Sequence, residues 1–347
     1  MSRRTLSPLT RAYQRNLKAL AKATLSTGKR VVGRVRRAAT QRLKPPPGRG
    51  DWIAGVALGP AGARGWHLYR PPQLDLQPAQ RLPLMVMLHG CGQTGRDFAA
   101  STRMNRLADR DRFLVLYPEQ DRLANAQGCW NWYERRSGKA DAEAATLLAA
   151  IDQVLLLYPA DRERVALAGL SAGASMAALL ATRYPAHFKA VAMHSGVAPG
   201  AAKSPATALG AMRGRHVPPM PATAVGKAMG AAAMFAKLPP LMVLHGDADR
   251  VVAASNAASS AAVWALATGA KSGTTRLQQR GKRHPMRVTE YRRGGRTCVK
   301  LCEIAGLGHA WSGGAASMLF SDADGPDASK LVWAFAVRQF RLAGSEP

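Results

Sequence analysis

The sequence predicts an α/β fold in which a mostly parallel sheet is covered by helices on both faces. Short continuous apolar runs recur from residue 51 onward, and such runs are typical of strands buried on both faces. Helical patterns alternate with these runs, which indicates repeated β-α units and therefore parallel strands. One strand passes directly into a helix through Gly-Leu-Ser-Ala-Gly at 169–173, where a serine stands between two glycines.

The predicted elements follow one another along most of the chain. Strands are expected at 83–89 (PLMVMLH), 113–118, 164–170, 188–196 and 240–246. Helices are expected at 97–112, 141–158, 172–184, 256–268 and 326–341. Asp141 is the predicted N-cap of the second helix, because aspartate readily accepts a hydrogen bond from a first-turn N–H. Neither an internal repeat nor an apolar run of about 18 residues, the length of a membrane span, is present in the sequence.

The sequence divides into a basic N-terminal arm with its linker and one large α/β domain. Residues 1–50 form the arm and linker, and the linker sequence KPPPGRG at 44–50 stops any helix before it. Residues 51–347 form the domain. Within it, the segment 199–239 interrupts the β-α alternation and is rich in Ala, Pro, Gly and Met, so we expect an inserted cap or loop there.

The formal net charge of +28 is concentrated in two segments. Residues 1–50 carry 14 Lys and Arg residues without an acidic residue, and residues 271–300 carry 10 against Glu290 alone. A solvated tail and a solvated loop explain both segments, and contact with nucleic acid, an anionic membrane or another acidic surface is the alternative. Four apolar residues of the arm fall on one helical face, namely Leu9, Tyr13, Leu17 and Leu20. The arm is therefore either a basic amphipathic helix or disordered.

The strand–helix connection at 169–173 predicts a nucleophile. In the Gly-x-Ser-x-Gly pattern, a sharp turn between strand and helix lifts the serine hydroxyl above the carboxyl end of the sheet. Gly169 and Gly173 fit this interpretation, because a Cβ atom at either position would collide with the neighbouring strand or helix. Ser171 is thus the candidate nucleophile, and a tight structural turn is the alternative.

A serine nucleophile needs a base and an acid that orients the base. His309 follows another apolar strand in a glycine-rich loop, GLGHAWSGG, and is the candidate base. Two carboxylates, Asp247 and Asp249, follow the strand at 240–246, and the residue pattern alone does not choose between them. Loops at the carboxyl ends of strands are where open α/β sheets bind ligands, which fits all of these positions.

The tetrahedral intermediate of acyl transfer also needs N–H donors for its oxyanion. The backbone N–H of Ala172 follows the nucleophile, and the loop MLHGCGQTG at 87–95 offers Cys91 as the second donor. His89 precedes the serine in the chain and is interpreted as structural. Cys298 and Cys302 lack a histidine partner at zinc-site spacing, so we predict no metal and no cofactor.

Six motifs in order resemble the poly(3-hydroxybutyrate) depolymerase esterase family, which is related to feruloyl and acetylxylan esterases. They are LHGCGQTGRDF, GCWNWY, GLSAGASMA, HGDADRVV, GHAWSGG and GPDASKLVWAF, and together they cover roughly residues 52–341. The resemblance implies an α/β-hydrolase fold and hydrolysis of carboxylic esters through an acyl-enzyme. It implies Ser171 as nucleophile, His309 as base and Asp249, in preference to Asp247, as acid, and it favours Cys91 at the oxyanion hole.

The resemblance also bears on the aromatic and cysteine residues. It suggests that Trp130, Trp132 or Trp311 lines the acyl groove, although aromatic residues are more often part of a core. It implies a disulfide between Cys91 and Cys129 in an oxidising compartment. The N-terminus shows no apolar signal stretch, which predicts a cytoplasmic location, whereas the family resemblance implies an extracellular one.

The leading hypothesis is a serine esterase that cleaves short-chain hydroxyalkanoate esters, polymeric or oligomeric. A feruloyl or acetylxylan-type esterase is the alternative within the same chemistry. An alternative of another class is a binding protein in which the basic arm attaches a hydrolase scaffold to nucleic acid or a membrane. The expected partners are the ester substrate, a polymer granule surface, and an anionic surface met by residues 1–44, with nucleic acid disfavoured.

Overall fold

The computed structural model describes residues 46, 48–72, 80–215 and 238–344. The basic arm at 1–44 and residues 216–237 of the expected insertion lie outside this part of the chain. The strands of the central sheet are β1 Asp51–Gly59, β2 Gly62–Arg70, β3 Leu82–Leu88, β4 Leu114–Pro118, β5 Ala160–Leu170, β6 Ala190–His194, β7 Leu241–Gly246, β8 Lys271–Ser272, β9 Arg276–Gln278, β10 Met286–Arg293 and β11 Arg296–Ile304. The short strands β12 Trp311–Ser312 and β13 Ser321–Asp322 pair separately.

The central sheet is parallel in its middle and antiparallel at both edges. The strands lie in the order β1-β2-β4-β3-β5-β6-β7-β11-β10-β8, and β9 pairs with β10. The six strands from β4 to β11 in this order are mutually parallel. The hairpin β1-β2 adds antiparallel strands on one side, and β8 to β10 add them on the other. The predicted α/β class with a mostly parallel sheet is confirmed.

Seven α-helices of the described ranges cover both faces of the sheet. They are α1 Gly95–Thr102, α2 Met104–Asp111, α3 Lys139–Leu157, α4 Ala172–Arg183, α5 Pro205–Met212, α6 Ser255–Thr268 and α7 Ala328–Ala343. Helices α3, α4 and α6 pack in one apolar cluster, and α1, α2 and α7 pack in a second cluster on the opposite face. The alanine-rich α4 is almost entirely buried, since small side chains let it lie close to the sheet. No helix in the described ranges is long and apolar enough to cross a bilayer.

Most predicted strands and helices are confirmed, but three local predictions are wrong. The helix expected at 97–112 is broken at Arg103, whose φ of 55° lies in the left-handed region. Asp141 is not an N-cap, because α3 begins earlier, after Gly138, and Asp141 instead forms an ion pair with Arg183 at 2.6 Å. The basic segment 271–300 is not a loop, since it forms β8 to β10 and the start of β11.

The first twelve residues of the basic segment are nevertheless exposed, as its interpretation as a solvated region requires. Every residue from 271 to 282 is exposed, and cations also lie at the turn between β10 and β11. Charged residues on a sheet edge discourage pairing with another chain, which gives this composition a structural reason. The segment 199–239 contains α5, whose N-cap Ser204 accepts a hydrogen bond from the N–H of Thr207.

Candidate active site

The candidate site lies at the carboxyl edge of the parallel strands. β3 lies between β4 and β5, so the chain crosses to opposite sides of β3 as it forms these two strands. Leu88 at the end of β3 is opposite Gly169 near the end of β5, and the loops after both strands therefore meet. A crevice at such a reversal of strand order is the usual ligand site of an open α/β sheet.

Ser171 is held in a strained turn between β5 and α4. Its φ of 57° and ψ of −121° are unusual for a residue other than glycine, and its N–H donates to the carbonyl of His194 at 2.9 Å. A Cβ atom on Gly169 would lie 2.3 Å from the backbone of Gly173, and one on Gly173 would lie 2.2 Å from the carbonyl oxygen of Leu88. These distances confirm the predicted reason for both glycines.

Asp249 is the carboxylate that contacts the candidate base. Its Oδ2 atom lies 2.7 Å from Nδ1 of His309, and its side chain is fully buried. The N–H groups of Val251 and Val252 donate to Oδ1, each at 2.9 Å, and His245 Nε2 lies 3.2 Å from Oδ2. Burial alone would raise the pKa of Asp249, but the hydrogen bonds from His245 and His309 outweigh it and hold the pKa far below its usual range.

Asp247 has a different role in the same loop. It is exposed, and its Oδ1 atom accepts a hydrogen bond from the N–H of Gly306 at 2.7 Å. This bond ties the loop after β7 to the loop after β11, three residues before His309. Asp247 therefore supports the loop that carries His309, while Asp249 binds the imidazole itself.

The structure brings His309 and Asp249 into contact, but it does not show a hydrogen bond between His309 and Ser171. Ser171 is half-buried, and Oγ makes no hydrogen bond to His309 within the described residues. With Nδ1 bound to Asp249, Nε2 is the ring nitrogen left for a proton transfer. The contact between a serine nucleophile and its base often tightens only when substrate binds.

Two backbone N–H groups near Ser171 are available to a ligand. In the loop after β3, the N–H of Gly90 donates to Gln93 Oε1 at 3.0 Å, that of Gly92 to Gln127 at 2.9 Å, and that of Gln93 to Gly90 at 3.2 Å. The N–H of Cys91 between them makes no hydrogen bond with a described residue. Ala172 begins α4, so its N–H has no partner inside the helix. Both predicted oxyanion donors are thus unengaged in the part of the chain that the structure describes.

The loop that carries Cys91 is tied to the loop at 119–134. A disulfide joins Cys91 to Cys129, as the family resemblance implied. Trp130 Nε1 donates to the carbonyl of His89 at 3.1 Å, and Nε2 of His89 accepts from the N–H of Gln120 at 3.1 Å. Burial lowers the pKa of His89, which keeps this ring neutral. His89 is therefore a structural residue.

Two of the three predicted groove tryptophans belong to the core. Trp130 and Trp311 are 0% and 1% exposed, and the indole N–H of Trp311 donates to Ser329 at 3.1 Å. Both rings are buried and both indole N–H donors are used inside the protein, so neither ring is exposed to a groove in this structure, and their role in substrate binding stays a prediction. Trp132 is 9% exposed and packs edge-on against Tyr133, so its role in substrate binding stays a prediction.

Sequence reasoning missed two buried histidines next to the site. His194 ends β6, stacks on Trp311, and accepts from the N–H of Ser312 at 3.1 Å through Nε2. His245 is the second-to-last residue of β7, and its Nε2 lies 3.2 Å from Asp249 Oδ2 and 2.9 Å from the carbonyl oxygen of Val252. Their position at strand ends was the available signal, because parallel strands bring their carboxyl ends together. Over the described residues, no group of three or more metal-binding side chains lies together.

Comparison with known proteins places the chain in a family. The family described as Esterase PHB depolymerase matches residues 65–280, a range that includes Ser171 and Asp249 but ends before His309. The chain is 32% identical over 176 residues to a poly(3-hydroxyalkanoate) depolymerase C of Paucimonas lemoignei, which covers 50% of this chain and 42% of the relative. It is 33% identical over 134 residues to a feruloyl esterase B of Neurospora crassa, which covers 38% of this chain and 44% of the relative. The chain thus spans less than half the length of these two curated relatives.

A solved structure supports the same fold. The acetyl xylan esterase from Aspergillus awamori superposes with a TM-score of 0.60 at 21% identity, covering 76% of this chain and 94% of that one. At this identity the similarity concerns the fold, and the family follows from the sequence match over more than half of the chain. The chain belongs to the esterase PHB depolymerase family.

Proposed function

We propose that this protein is a serine hydrolase of carboxylic esters, with Ser171, His309 and Asp249 as its catalytic triad. The observation that carries the proposal is the 2.7 Å contact between His309 Nδ1 and the buried Asp249, at the same sheet edge as the strained Ser171. A buried carboxylate on Nδ1 fixes the imidazole tautomer that leaves Nε2 free to accept a proton. The two unengaged amides of Cys91 and Ala172 complete the chemistry.

The reaction proceeds in two halves. His309 removes the proton from Ser171 Oγ, which attacks the ester carbonyl carbon, and the resulting oxyanion binds to the N–H groups of Cys91 and Ala172. When the C–O bond to the alcohol breaks, His309 donates its proton to the leaving oxygen and an acyl-serine remains. Water, deprotonated by His309, then attacks the acyl carbon, and Ser171 leaves with the returned proton. Asp249 stabilises the imidazolium that forms in both halves.

The substrate class that we favour is the short-chain 3-hydroxyalkanoate ester, as polymer or oligomer. Support comes from the matched family and from the named depolymerase among the relatives. A feruloyl or acetylxylan-type ester is the second candidate, because feruloyl and acetylxylan esterases also occur among the relatives. The chemistry at Ser171 is the same for all three, and only the acyl and alcohol groups differ.

The triad is tested with 4-nitrophenyl butyrate, a soluble ester whose hydrolysis is followed by absorbance. The wild-type chain should hydrolyse it, and Ser171→Ala should lower kcat by about 10⁴-fold or more, since the nucleophile is lost. The melting temperature and circular dichroism of the variant should match those of the wild type. Ordinary turnover by a folded Ser171→Ala protein would remove the proposed triad.

The substrate class is tested separately with the active protein. Polyhydroxybutyrate granules, hydroxybutyrate oligomers, methyl ferulate and acetylated xylan are compared by kcat/KM or by initial rate of product release. We expect the hydroxybutyrate esters to be cleaved fastest. A preference of tenfold or more for methyl ferulate or acetylated xylan would transfer the assignment to the second candidate.

A further inference from the structure

A buried carboxylate lies behind the candidate oxyanion loop. Glu143 is in the second turn of α3, and its side chain is fully buried. The carboxylate accepts hydrogen bonds from the N–H of Asn131 and from Gln120 Nε2, each at 2.8 Å, and from Asn131 Nδ2. Arg64, itself 3% exposed, approaches the same carboxylate at 3.5 Å. Burying a charge costs free energy unless it is paired and hydrogen-bonded, and Glu143 meets both conditions.

The hydrogen-bond donors to Glu143 belong to the loop at 119–134. Gln120 and Asn131 lie near the two ends of this loop, so one carboxylate holds both ends against α3. Gln120 Nε2 also donates to the carbonyl of Cys129 at 2.9 Å, which adds a link across the loop. Asn125 Nδ2 donates to Asn131 Oδ1 at 3.0 Å and fixes the middle of the loop to its end.

The same loop is the support of the segment that carries the Cys91 amide. Four links join the two: the disulfide from Cys129, the bond from Gln120 N–H to the His89 ring, the bond from Trp130 Nε1 to the His89 carbonyl, and the bond from Gly92 N–H to the Gln127 carbonyl. These links flank the Cys91 N–H on both sides and leave it unengaged with described residues. Its direction therefore depends on where the loop at 119–134 lies.

We propose that Glu143 is a positioning residue for the oxyanion hole, acting through the loop at 119–134 on the N–H of Cys91. This inference rests on the proposed esterase function. An oxyanion donor is effective only within a few tenths of an ångström of its productive position, so a small shift of this loop reduces stabilisation of the transition state. Glu143 contacts neither the substrate nor the reacting atoms, and its effect is indirect.

A purely structural role for the Arg64–Glu143 pair is the competing explanation. That role predicts a loss of stability without a specific loss of oxyanion stabilisation. The pattern of partners argues against this explanation. Glu143 accepts three hydrogen bonds from the loop, two of them at 2.8 Å, whereas its contact with Arg64 is longer, at 3.5 Å. The two explanations differ in what Glu143→Gln does to a folded protein.

The first measurement is hydrogen exchange, which does not depend on activity. Glu143→Gln keeps the shape but places an NH2 group among donors, so the bonds to Gln120 and Asn131 weaken. Backbone amides of residues 90–93 should exchange about tenfold faster in this variant, at a temperature where it is folded. The matched control is Asp152→Asn, which makes the same chemical change on the exposed face of α3, where Asp152 pairs with Arg162 at 3.0 Å. This control should leave exchange at 90–93 unchanged.

The second measurement separates transition-state binding from substrate binding. With 4-nitrophenyl butyrate, Glu143→Gln should lower kcat about 10- to 100-fold and change KM less than threefold, because the oxyanion exists only after attack. Inhibition by butylboronic acid, which forms a tetrahedral adduct with a nucleophilic serine, should weaken by the same factor as kcat. Asp152→Asn should change neither quantity by more than twofold.

A second variant guards against failure of Glu143→Gln to fold. Asn131→Ala removes the hydrogen bond from Asn131 Nδ2 to Glu143 and the one that Asn131 Oδ1 accepts from Asn125. It keeps the backbone N–H of Asn131 on Glu143 and the Arg64–Glu143 pair, so it should show the same pattern with a smaller effect. Unchanged exchange at 90–93 in a folded variant, or a fall in kcat without weaker boronate inhibition, overturns the proposal. If the wild type cleaves no ester, the proposed function fails, and the exchange measurement still decides whether Glu143 positions the loop.

Discussion

At the scale of single residues, two aspartates two positions apart have different partners. Asp249 binds His309 Nδ1 and is fully buried, whereas exposed Asp247 binds the N–H of Gly306. We therefore expect Asp249→Asn to lower kcat by about 10³- to 10⁴-fold, because an amide favours the wrong imidazole tautomer. Asp247→Asn should cost less than about tenfold, since Asn Oδ1 can still accept from Gly306. Steady-state kinetics with a soluble ester measure both effects.

The comparison of these two variants contains its own control, because the chemical change is identical. Their melting temperatures show whether either variant is unfolded at the assay temperature. The opposite ranking of kcat in two folded proteins would assign the acid role to Asp247 and contradict the contact between Asp249 and His309.

A second prediction at the residue scale concerns His194 and acid stability. Burial, together with the nearby rings of His245 and His309, lowers the pKa of His194 to about 3. An unfolded histidine has a pKa of about 6.5, so between these values the unfolded state binds a proton that the folded state does not. The contribution of His194 to the free energy of unfolding is therefore fully present above the unfolded pKa. As the pH decreases from there toward the folded pKa, the free energy of unfolding falls by about 1.4 kcal/mol per pH unit.

The measurement is the free energy of unfolding in urea at pH 7 and pH 5. The wild type should lose about 2 kcal/mol more than His194→Gln between these pH values, because only the wild type has this titrating ring. Glutamine can still accept the hydrogen bond from Ser312, and contributions of other histidines such as His89 cancel in the comparison. Equal losses in both proteins would show that protonation of His194 does not differ between the folded and unfolded states.

The sequence could predict the candidate nucleophile and base, but not the buried residues that hold the site in place. Ser171 was predictable because the elbow requires glycines at both 169 and 173, and His309 because of its order and loop. His245 gave only the signal of its place near a strand end, and Glu143 gives none, since its role comes from contacts with a loop distant from it in sequence. The burial of Trp130 was not predictable for the same reason, because it depends on the loop that folds over it.

At the scale of elements, buried strands were easier to predict than the edges of the sheet. The run that became β3 is apolar throughout, and those that became β4 and β7 are almost entirely apolar, because helices cover both of their faces. The hairpin β1-β2 and the antiparallel β10 have mixed exposure and were missed. The break at Arg103 was also hidden, because Arg103 Nη2 donates to the carbonyls of Gly313 and Gly314 at 2.7 and 2.8 Å, a contact that spans the chain.

The disulfide between the loops after β3 and β4 supports a prediction at this scale. Disulfides persist in oxidising compartments, so we propose that the chain acts in one, and that natively isolated protein has Cys91 and Cys129 bonded. Alkylation without reductant, followed by intact-mass analysis, should then label at most two thiols, those of Cys298 and Cys302. Reduction before alkylation under denaturing conditions should raise the number to four. Four labelled thiols without reductant would indicate a reducing compartment instead.

At the scale of the whole molecule, the basic charge is divided between the arm and one edge of the sheet. Residues 1–50 contribute half of the net charge of +28, and the segment 271–300, which is exposed over residues 271–282, contributes a further large share. An amphipathic basic helix lies on an interface with its apolar face down and its cations toward anions, and the sequence of the arm fits this pattern. A depolymerase acts at the surface of an insoluble polymer, so a surface-seeking segment raises its local concentration there, whereas a soluble ester requires no such segment.

We therefore expect deletion of residues 1–44 to leave kcat/KM for 4-nitrophenyl butyrate within about twofold, while adsorption to polyhydroxybutyrate granules or anionic vesicles falls several-fold. Salt should weaken binding of the intact chain more than binding of the truncated chain, because charge attraction is screened. Cosedimentation at low and high salt measures both proteins side by side. Equal adsorption at low salt would reduce the arm to a solvated tail, and tighter binding to DNA than to granules or vesicles would favour a nucleic-acid partner. Residues 271–300 remain in the truncated protein, so any salt-dependent adsorption that persists after the deletion is attributable to the sheet edge.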